Sequence, residues 1–184
     1  MNKLLISCLF VCSLSFSQTG MMTDAGDSGL GVWLNANVVN IEYTDADPTY
    51  ALSVGYMMDN GIEFGLNYHL ETGIDWNPIS IKAFYHMKSY NGTSLAFGAT
   101  IFNVTEAEYL GWETESSTLI GAGAYTADKL FFELGADTED IGETLSFGVG
   151  YMLDLGGLNL GISYAANMDA ISEGWVGLSL GSTF

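Results

Sequence analysis

The residues best suited to acid–base chemistry in this sequence are its two histidines, His69 and His86. Histidine exchanges protons near neutral pH and is the side chain most often used as a general base. Glu71 lies two residues after His69, and on a strand that spacing puts both residues on one face, where a carboxylate can orient an imidazole. No nucleophilic serine accompanies the pair. The sequence therefore indicates no catalytic site, and an enzyme acting through His69 is kept as an alternative.

Both histidines belong to a set of charged residues that alternate with apolar ones. Buried carboxylates need a charged partner, a hydrogen bond or water, and the single lysine in the set cannot satisfy three of them. We predict that the set faces the inside of a folded sheet as a polar network that attracts cations. We expect it to bind no cofactor and no metal ion. The predicted network consists of Glu63, His69, Lys82, His86, Glu133 and Asp137.

The densest negative charge falls in segments that we predict to be connections between strands, at 44–48, 72–77, 105–116, 139–142 and 167–173. Hard divalent cations such as Ca²⁺ prefer oxygen ligands, so divalent cations bridging these acidic loops are a possible partner. The sequence contains no Asp-x-Asp-x-Asp-Gly loop. Solvated loops that keep the protein soluble are the alternative. The acidic residues concerned are Asp45, Asp47, Glu106, Glu108, Glu113, Glu115, Glu139, Asp140, Asp169 and Glu173.

The start of the chain has the pattern of a secretory signal peptide. Lys3 provides a basic start, residues 4–14 form an apolar run, and Ser15-Phe16-Ser17 supplies small residues before a cleavage site. Both cysteines lie inside this segment, so the mature chain has none and forms no disulfide. The predicted organisation is a signal peptide at 1–17, a short N-terminal segment at 18–28 and a β-barrel domain at 29–184.

The elements that position the charged residues are strands, because apolar residues recur with a period of two. In the segment 62–70, Ile62, Phe64, Leu66, Tyr68 and Leu70 alternate with polar residues and glycine. We predict about ten strands, with eight as the alternative if the sixth and seventh merge or are absent. The predicted ranges are 29–43, 49–58, 61–71, 78–88, 93–104, 117–127, 130–138, 143–153, 157–166 and 174–184.

The two faces of these strands differ in a way that indicates which face is inside. One face carries large Leu, Ile, Phe and Tyr residues, whereas the other carries Gly, Ser, Asn and Ala. Small residues suit the crowded interior of a narrow barrel, and the large apolar residues then face lipid. Short turns also alternate with longer connections along the chain, as in outer-membrane barrels with short periplasmic turns. The fold class predicted is all-β, a closed antiparallel up-and-down transmembrane barrel.

Composition excludes several classes of function. The formal net charge is −18, and all basic residues are lysine, so the chain cannot neutralise a phosphate backbone and nucleic-acid binding is excluded. Mean hydropathy is +0.25, which argues against the disorder that high charge often accompanies. After the signal peptide no run of 18 apolar residues occurs, so the sequence predicts no membrane helix.

The chain resembles the small Gram-negative outer-membrane barrels typified by the OmpA membrane domain, OmpX and OmpW, and its Gly-Tyr-x-x-Asp hairpins are faintly similar to the YfaZ type. The resemblance rests on the signal peptide, the alternating strands, the unequal connections and the terminal strand 176–184. The last residue, Phe184, resembles the signal that the barrel-assembly machinery reads in that class. Ser182 departs from the apolar residue usual at its position.

Together these observations predict an outer-membrane protein that is not an enzyme and has a structural or a narrow, cation-preferring passive permeation role. The expected partners are outer-membrane lipid and, through the C-terminal strand, the barrel-assembly machinery. A soluble periplasmic β-barrel that binds a ligand is the second alternative, because alternation alone also fits a barrel with its apolar face inward.

Overall fold

The computed structural model describes residues 29–42, 47–70, 79–88, 93–108, 111–126 and 129–184. The predicted signal peptide at 1–17 and the segment at 18–28 lie outside these residues. The described chain forms ten strands, one short α-helix and one 3₁₀ helix. In chain order they are β1 (Gly29–Asn40), β2 (Thr49–Met57), β3 (Ile62–Leu70), β4 (Ile79–Lys88), β5 (Ser94–Glu108), β6 (Gly111–Tyr125), β7 (Leu130–Asp137), α1 (Ile141–Thr144), β8 (Ser146–Asp154), β9 (Asn159–Asn167), the 3₁₀ helix Ile171–Glu173 and β10 (Trp175–Thr183).

The strands form a closed barrel in which each strand pairs antiparallel with its neighbours along the chain. β1 and β10 close the barrel by pairing from Gly31↔Thr183 to Asn40↔Trp175, with one irregularity between Asn37 and Val39. Closure leaves the sheet without an open side, so the backbone groups of the wall are paired all the way round. The prediction of a closed antiparallel barrel with ten strands is confirmed, and the eight-stranded alternative is wrong.

Short turns follow the even-numbered strands at one end of the barrel, and the longer connections after β1, β3, β7 and β9 lie at the other end. The β2–β3 turn uses Gly61 at φ 85°, and the β8–β9 turn uses Gly156 and Gly157 at φ 79° and 105°, a left-handed conformation that costs glycine little. Both ends of the barrel domain lie at the short-turn end, because Leu30 and Phe184 exchange main-chain hydrogen bonds of 3.0 and 2.8 Å. Neither described helix is long and apolar enough to cross a membrane.

The structure corrects the prediction of a loop at 105–116. β5 continues to Glu108 and β6 starts at Gly111, and the two strands stay in register over this whole length. The acidic residues suggested a solvated loop, but they alternate with Thr, Val and Trp, which favour strands. Each described residue of this extension also has a cross-strand partner, so the pairing continues as far as Glu108 and Gly111.

A smaller correction concerns the predicted strand at 143–153, which starts later, at Ser146. The carboxylate of Asp140 accepts a hydrogen bond of 3.4 Å from the main-chain N–H of Glu143. Aspartate at this position caps a helix and satisfies one of its free N–H groups. Residues 141–144 therefore form α1 in place of the first residues of the strand.

The apolar face of the sheet lies on the outside of the barrel. On β1, Leu34 is 50% exposed, whereas Trp33 and Asn35 on either side of it are 2% and 3% exposed. These faces are the reverse of those a water-soluble barrel needs, so the predicted direction of the two faces is confirmed. Every strand contributes a large exposed apolar residue, for example Leu34, Leu52, Phe64, Ile81, Phe97, Ile120, Phe132, Tyr151, Ile162 and Leu178.

The interior contains large side chains as well as the small ones that the sequence indicated. Trp33, Tyr125, Phe131 and Met152 form one buried apolar cluster. They come from the parts of β1, β6, β7 and β8 nearest the short turns. This cluster, which we call the apolar floor, fills the barrel at its short-turn end. At this end the inner face therefore carries large apolar side chains beside the small and polar ones.

Glycines on the neighbouring strands make room for these large interior residues. Trp33 is paired with Gly181, and Phe131 with Gly150. A Cβ atom placed on Gly181 would overlap the Trp33 indole, and one placed on Gly150 would overlap the Phe131 ring. On the inner face, these glycines therefore leave space for the aromatic side chains of the neighbouring strands.

We expect Gly150→Ala to destabilise the barrel by about 1–3 kcal/mol, the usual cost of overpacking a filled interior. The new methyl group has no free direction, because it would also lie 2.6 Å from the Ile162 carbonyl oxygen. Urea unfolding of the refolded protein in detergent micelles, followed by tryptophan fluorescence, measures this loss.

Gly148→Ala is the matched control, two residues away on the same strand and the same face. A Cβ at Gly148 meets its nearest neighbours, Cβ and Oε2 of Glu133, at 3.7 Å, which is ordinary contact. Its free energy of unfolding should change by less than about 0.5 kcal/mol or rise slightly. Equal destabilisation by both substitutions would contradict the assignment of Gly150 as space for Phe131.

Candidate functional site

Strand register places three of the predicted network residues side by side. Glu63 on β3 is paired with Phe84 on β4, so Lys82 and His86, two residues to either side of Phe84, are its diagonal neighbours. Diagonal positions on one face of a sheet lie within reach of long side chains. Lys82 Nζ lies 2.8 Å from Glu63 Oε1, and His86 Nε2 lies 2.5 Å from Glu63 Oε2.

The Glu63–Lys82–His86 cluster is enclosed in the barrel wall and interior. The Glu63 residue is 0% exposed and Lys82 is 1% exposed, so water does not solvate the ion pair. Gly65 is paired with Lys82, and a Cβ at Gly65 would overlap the Lys82 stem. The absence of a side chain at Gly65 lets the lysine lie flat along the wall and reach Glu63. Charge at this depth persists only because both partners are present.

The cluster holds charge in place and offers little for catalysis. Both carboxylate oxygens of Glu63 already have a partner, and the Nε2 atom of His86 faces one of them. A general base must have a free atom within hydrogen-bond reach of a substrate proton. Among the residues that the structure describes, no group of three or more His, Cys, Asp or Glu residues is placed to hold a metal ion. The arrangement is suited to fixing β3 against β4.

The other predicted network residues lie elsewhere. Glu133 and Asp137, both on β7, face inward and are 6% and 7% exposed, three strands round the barrel from β4. One oxygen of Asp137 accepts a hydrogen bond of 2.9 Å from the main-chain N–H of Glu139. The backbone of His69 belongs to β3, but its side chain lies outside the described part of the chain.

A cavity of about 10 Å³ lies beside Glu133, between Tyr125 and Phe131, enough for one water molecule.

Sequence reasoning missed a set of uncharged polar pairs in the same interior. Asn67 donates to Ser80 at 3.0 Å, and Asn35 donates to Ser53 at 2.8 Å. Both pairs join residues on adjacent strands that alternate with outward apolar residues. The signal in the sequence was asparagine on the glycine-rich face. The hydrogen-bond partner of each asparagine could not be predicted from the sequence. The register between strands decides which residue of the next strand lies opposite, and the sequence alone does not give that register.

Ser182, which departs from the resemblance described above, has a defined contact. Its hydroxyl donates a hydrogen bond of 2.7 Å to the carbonyl oxygen of Gly157, in the short turn between β8 and β9. An apolar residue at this position could not make that bond. Phe184 is 78% exposed, and its main chain pairs with Leu30 as described above.

Fold and surface together define the class of this protein: a closed antiparallel β-barrel with an apolar exterior and a polar and aromatic interior. The sequence matches no protein family and no curated protein. Eleven chains in solved structures are similar to it, and these include three that match 86–88% of its length. These three are the N-terminal β-barrel domain of Pseudomonas aeruginosa OprF (18% identity, TM-score 0.38, 88% of this chain and 100% of that chain), Acinetobacter baumannii outer membrane protein Omp33 (10%, 0.43, 87% and 100%) and Escherichia coli outer membrane phospholipase A (8%, 0.38, 86% and 92%).

We expect Glu63→Leu to destabilise the barrel by about 3–5 kcal/mol, because it leaves the Lys82 ammonium buried without its counter-charge. The double substitution Glu63→Leu with Lys82→Met should recover most of this loss, since it removes both charges and keeps the volume. Urea unfolding in micelles measures both values.

Glu139→Gln is the control for loss of one negative charge at an exposed site, and it should change the free energy of unfolding by less than about 0.5 kcal/mol. If the double variant is as unstable as Glu63→Leu alone, the buried pair is not the reason for the loss.

Proposed function

We propose that this chain is an outer-membrane β-barrel protein with a structural role. The observation that carries the proposal is the closed barrel with large apolar residues exposed on each of its ten strands. In lipid an unpaired backbone group costs several kcal/mol, so a sheet can span a membrane only if it closes on itself. Large apolar patches exposed to water favour aggregation, whereas the same surface is stable against acyl chains.

A structural role is favoured over passage of solutes by the way the interior is filled. The apolar floor defined above occupies the short-turn end, and its members are 2–3% exposed. The Glu63–Lys82–His86 cluster also lies in the interior, and it joins β3 and β4 across buried positions. A ten-stranded barrel is narrow, so we expect these side chains to leave no continuous water path.

A narrow, cation-preferring passage is the second candidate, and the sign of the interior charge favours it. Glu63, Glu133 and Asp137 are buried on the inner face together with Lys82, which leaves an excess of carboxylates. A low-dielectric interior lined by one sign of charge concentrates counter-ions. In this case the apolar floor would have to rearrange for ions to pass.

Location and partners follow from the same proposal. The predicted signal peptide exports the chain, and the short-turn end with both barrel termini faces the periplasm. Phe184 and the terminal strand are then available to the barrel-assembly machinery. Acidic residues at the opposite end, such as Glu139 and Asp140, face outside, where divalent cations are a possible ligand. We assign no enzymatic activity. Glu63, the interior carboxylate that contacts His86, already has both oxygens engaged, one with Lys82 and the other with His86.

Location and closure can be tested together by cell fractionation and gel mobility. We expect the protein in the outer-membrane fraction, with faster migration in unheated than in boiled samples, because a closed barrel resists detergent until heated. Recovery from the soluble periplasmic fraction, without a heat-dependent shift, would contradict the proposal and favour a soluble barrel.

The choice between the two candidates rests on conductance in planar bilayers. The wild-type protein should show no steady conductance, whereas Phe131→Ala, which removes a ring of the apolar floor, should produce cation-selective openings. Phe132→Ala is the matched control, because Phe132 lies on the outer face at 49% exposure while Phe131 is 2% exposed. Steady cation-selective conductance of the wild type would favour the permeation role, and silence of both variants would leave the structural role alone.

A further inference from the structure

The connection between β9 and β10, residues 168–174, lies against the outside of the barrel wall. Tyr164 is on the outer face of β9, between two buried inward residues. Its hydroxyl donates a hydrogen bond to the main-chain carbonyl oxygen of Ile171. A Cβ atom placed on Gly174 would overlap the Tyr164 side chain, so the end of the connection is also in contact with that outward residue. The connection therefore turns back over the outer face of β9.

Burial of the wall at this end gives separate evidence. Ala166 lies two residues after Tyr164 and so faces outward as well, yet it is 0% exposed, and the outward Ala136 on β7 is 4% exposed. An outward alanine becomes this buried only where other parts of the chain lie across it. The 3₁₀ helix of the connection packs against β9, and α1 packs against β7. Other outward alanines on the described strands are half-buried or exposed, namely Ala36, Ala83, Ala99, Ala122 and Ala124.

The main chain of the connection is largely hydrogen-bonded within the protein. The carbonyl oxygen of Ile171 accepts from Tyr164, as described above. The carbonyl oxygen of Glu173 accepts a hydrogen bond of 2.9 Å from the side-chain amide of Asn40. A loop in water does not need such bonds, whereas a main chain close to acyl chains must find its partners in the protein. The N–H groups that donate to protein oxygens are those of Met168, Asp169, Ala170, Glu173 and Gly174.

Two large apolar side chains of the connection are exposed, Met168 at 41% and Ile171 at 55%. Met168 continues the outward series of β9, because its N–H donates to the Leu145 carbonyl oxygen at 2.8 Å and extends the β8–β9 pairing. The hydroxyl of Ser172 instead donates a hydrogen bond of 3.4 Å to the carboxylate of Glu42. The apolar outer face of the barrel is therefore continuous with the apolar residues of the connection.

We propose that the β9–β10 connection is a membrane-interface anchor, in which Met168 and Ile171 enter the boundary between lipid headgroups and acyl chains. The inference rests on the proposed function, since it takes the apolar wall to face lipid. The connection carries Asp169 and Glu173 and no basic residue, so attraction to lipid phosphate cannot hold it. Contact of its apolar side chains with lipid must do so. Tyr164 positions the anchor by fixing Ile171 against the wall.

The test places a nitroxide spin label at position 171 of the full chain, refolded into dioleoylphosphatidylcholine vesicles. Ile171→Cys is combined with Cys8→Ser and Cys12→Ser, so that the label has a single cysteine to react with. Collisions with oxygen, which concentrates among acyl chains, are compared with collisions with a water-soluble nickel chelate. We expect oxygen to relax the label more strongly than nickel does. Met168→Cys in the same background gives a second position with the same expected result.

Ser172→Cys is the matched control, because Ser172 is the next residue, is also exposed and is directed toward Glu42. At position 172 we expect nickel to relax the label more strongly than oxygen does. Ile162→Cys is the lipid reference, since Ile162 lies on the outer face of β9 at 46% exposure. Oxygen should dominate there as it does at 171.

Tyr164→Phe tests the positioning role, because it removes the hydroxyl that holds the Ile171 carbonyl. It should raise the nickel collision rate at position 171 by up to about fivefold, the usual effect of losing one hydrogen bond on a local equilibrium. Tyr151→Phe is its control, since Tyr151 lies on the outer face of β8 and is paired with Leu130 at the short-turn end. This substitution should leave collisions at 171 unchanged.

The outcomes separate the anchor from the proposed function. Dominance of nickel at 171 with dominance of oxygen at 162 would place the wall in lipid and the connection in water, and would overturn the anchor alone. Dominance of nickel at both positions would contradict the outer-membrane proposal as well. Shielding of the label at 171 from both reagents would indicate a protein partner, such as a second copy, and would overturn the assignment of lipid.

Discussion

The pairing of β1 with β10 is the interaction on which the rest of this structure depends. Without it the sheet has two open edges, and a row of unpaired backbone groups cannot be placed in lipid. With it the wall closes, and the outward residues must then be apolar on every strand while the inward residues must share a narrow space. Because the barrel closes through this one strand pairing, every strand in the sequence must carry apolar residues outward and residues that fit a narrow space inward.

The narrow interior explains why glycine and aromatic residues occur together. Ten strands enclose too little room for a large side chain at every inward position. Trp33 and Phe131 fit because the residues paired with them, Gly181 and Gly150, have no side chain. The buried ion pair also depends on a small neighbour, because Gly65 leaves the space through which Lys82 reaches Glu63. The interior is filled by complementary sizes, in which each large residue depends on a small neighbour.

Most of the fold could be predicted from the sequence. A strand with one apolar face has apolar residues at every second position, and this alternation is visible within a short segment. The segment 62–70 showed this alternation, and the structure contains β3 there. The prediction was wrong where local composition and pairing disagree: acidic residues at 105–116 suggested a loop, but the partner strand kept them extended. At 143–145 a capping aspartate, Asp140, overrode the strand pattern. In both cases a contact outside the local pattern decided the outcome.

What the sequence by itself determined was the class of element, the direction of the two faces and the membership of Glu63, Lys82 and His86 in the interior. These properties depend on residue type and on spacing along one strand. Only the tertiary structure decided that these three residues touch, that Trp33 belongs to an apolar floor, and that β5 and β6 extend past the wall. Register between strands is set when the barrel closes, and a shift of two residues would keep every face unchanged while giving each interior residue a different neighbour.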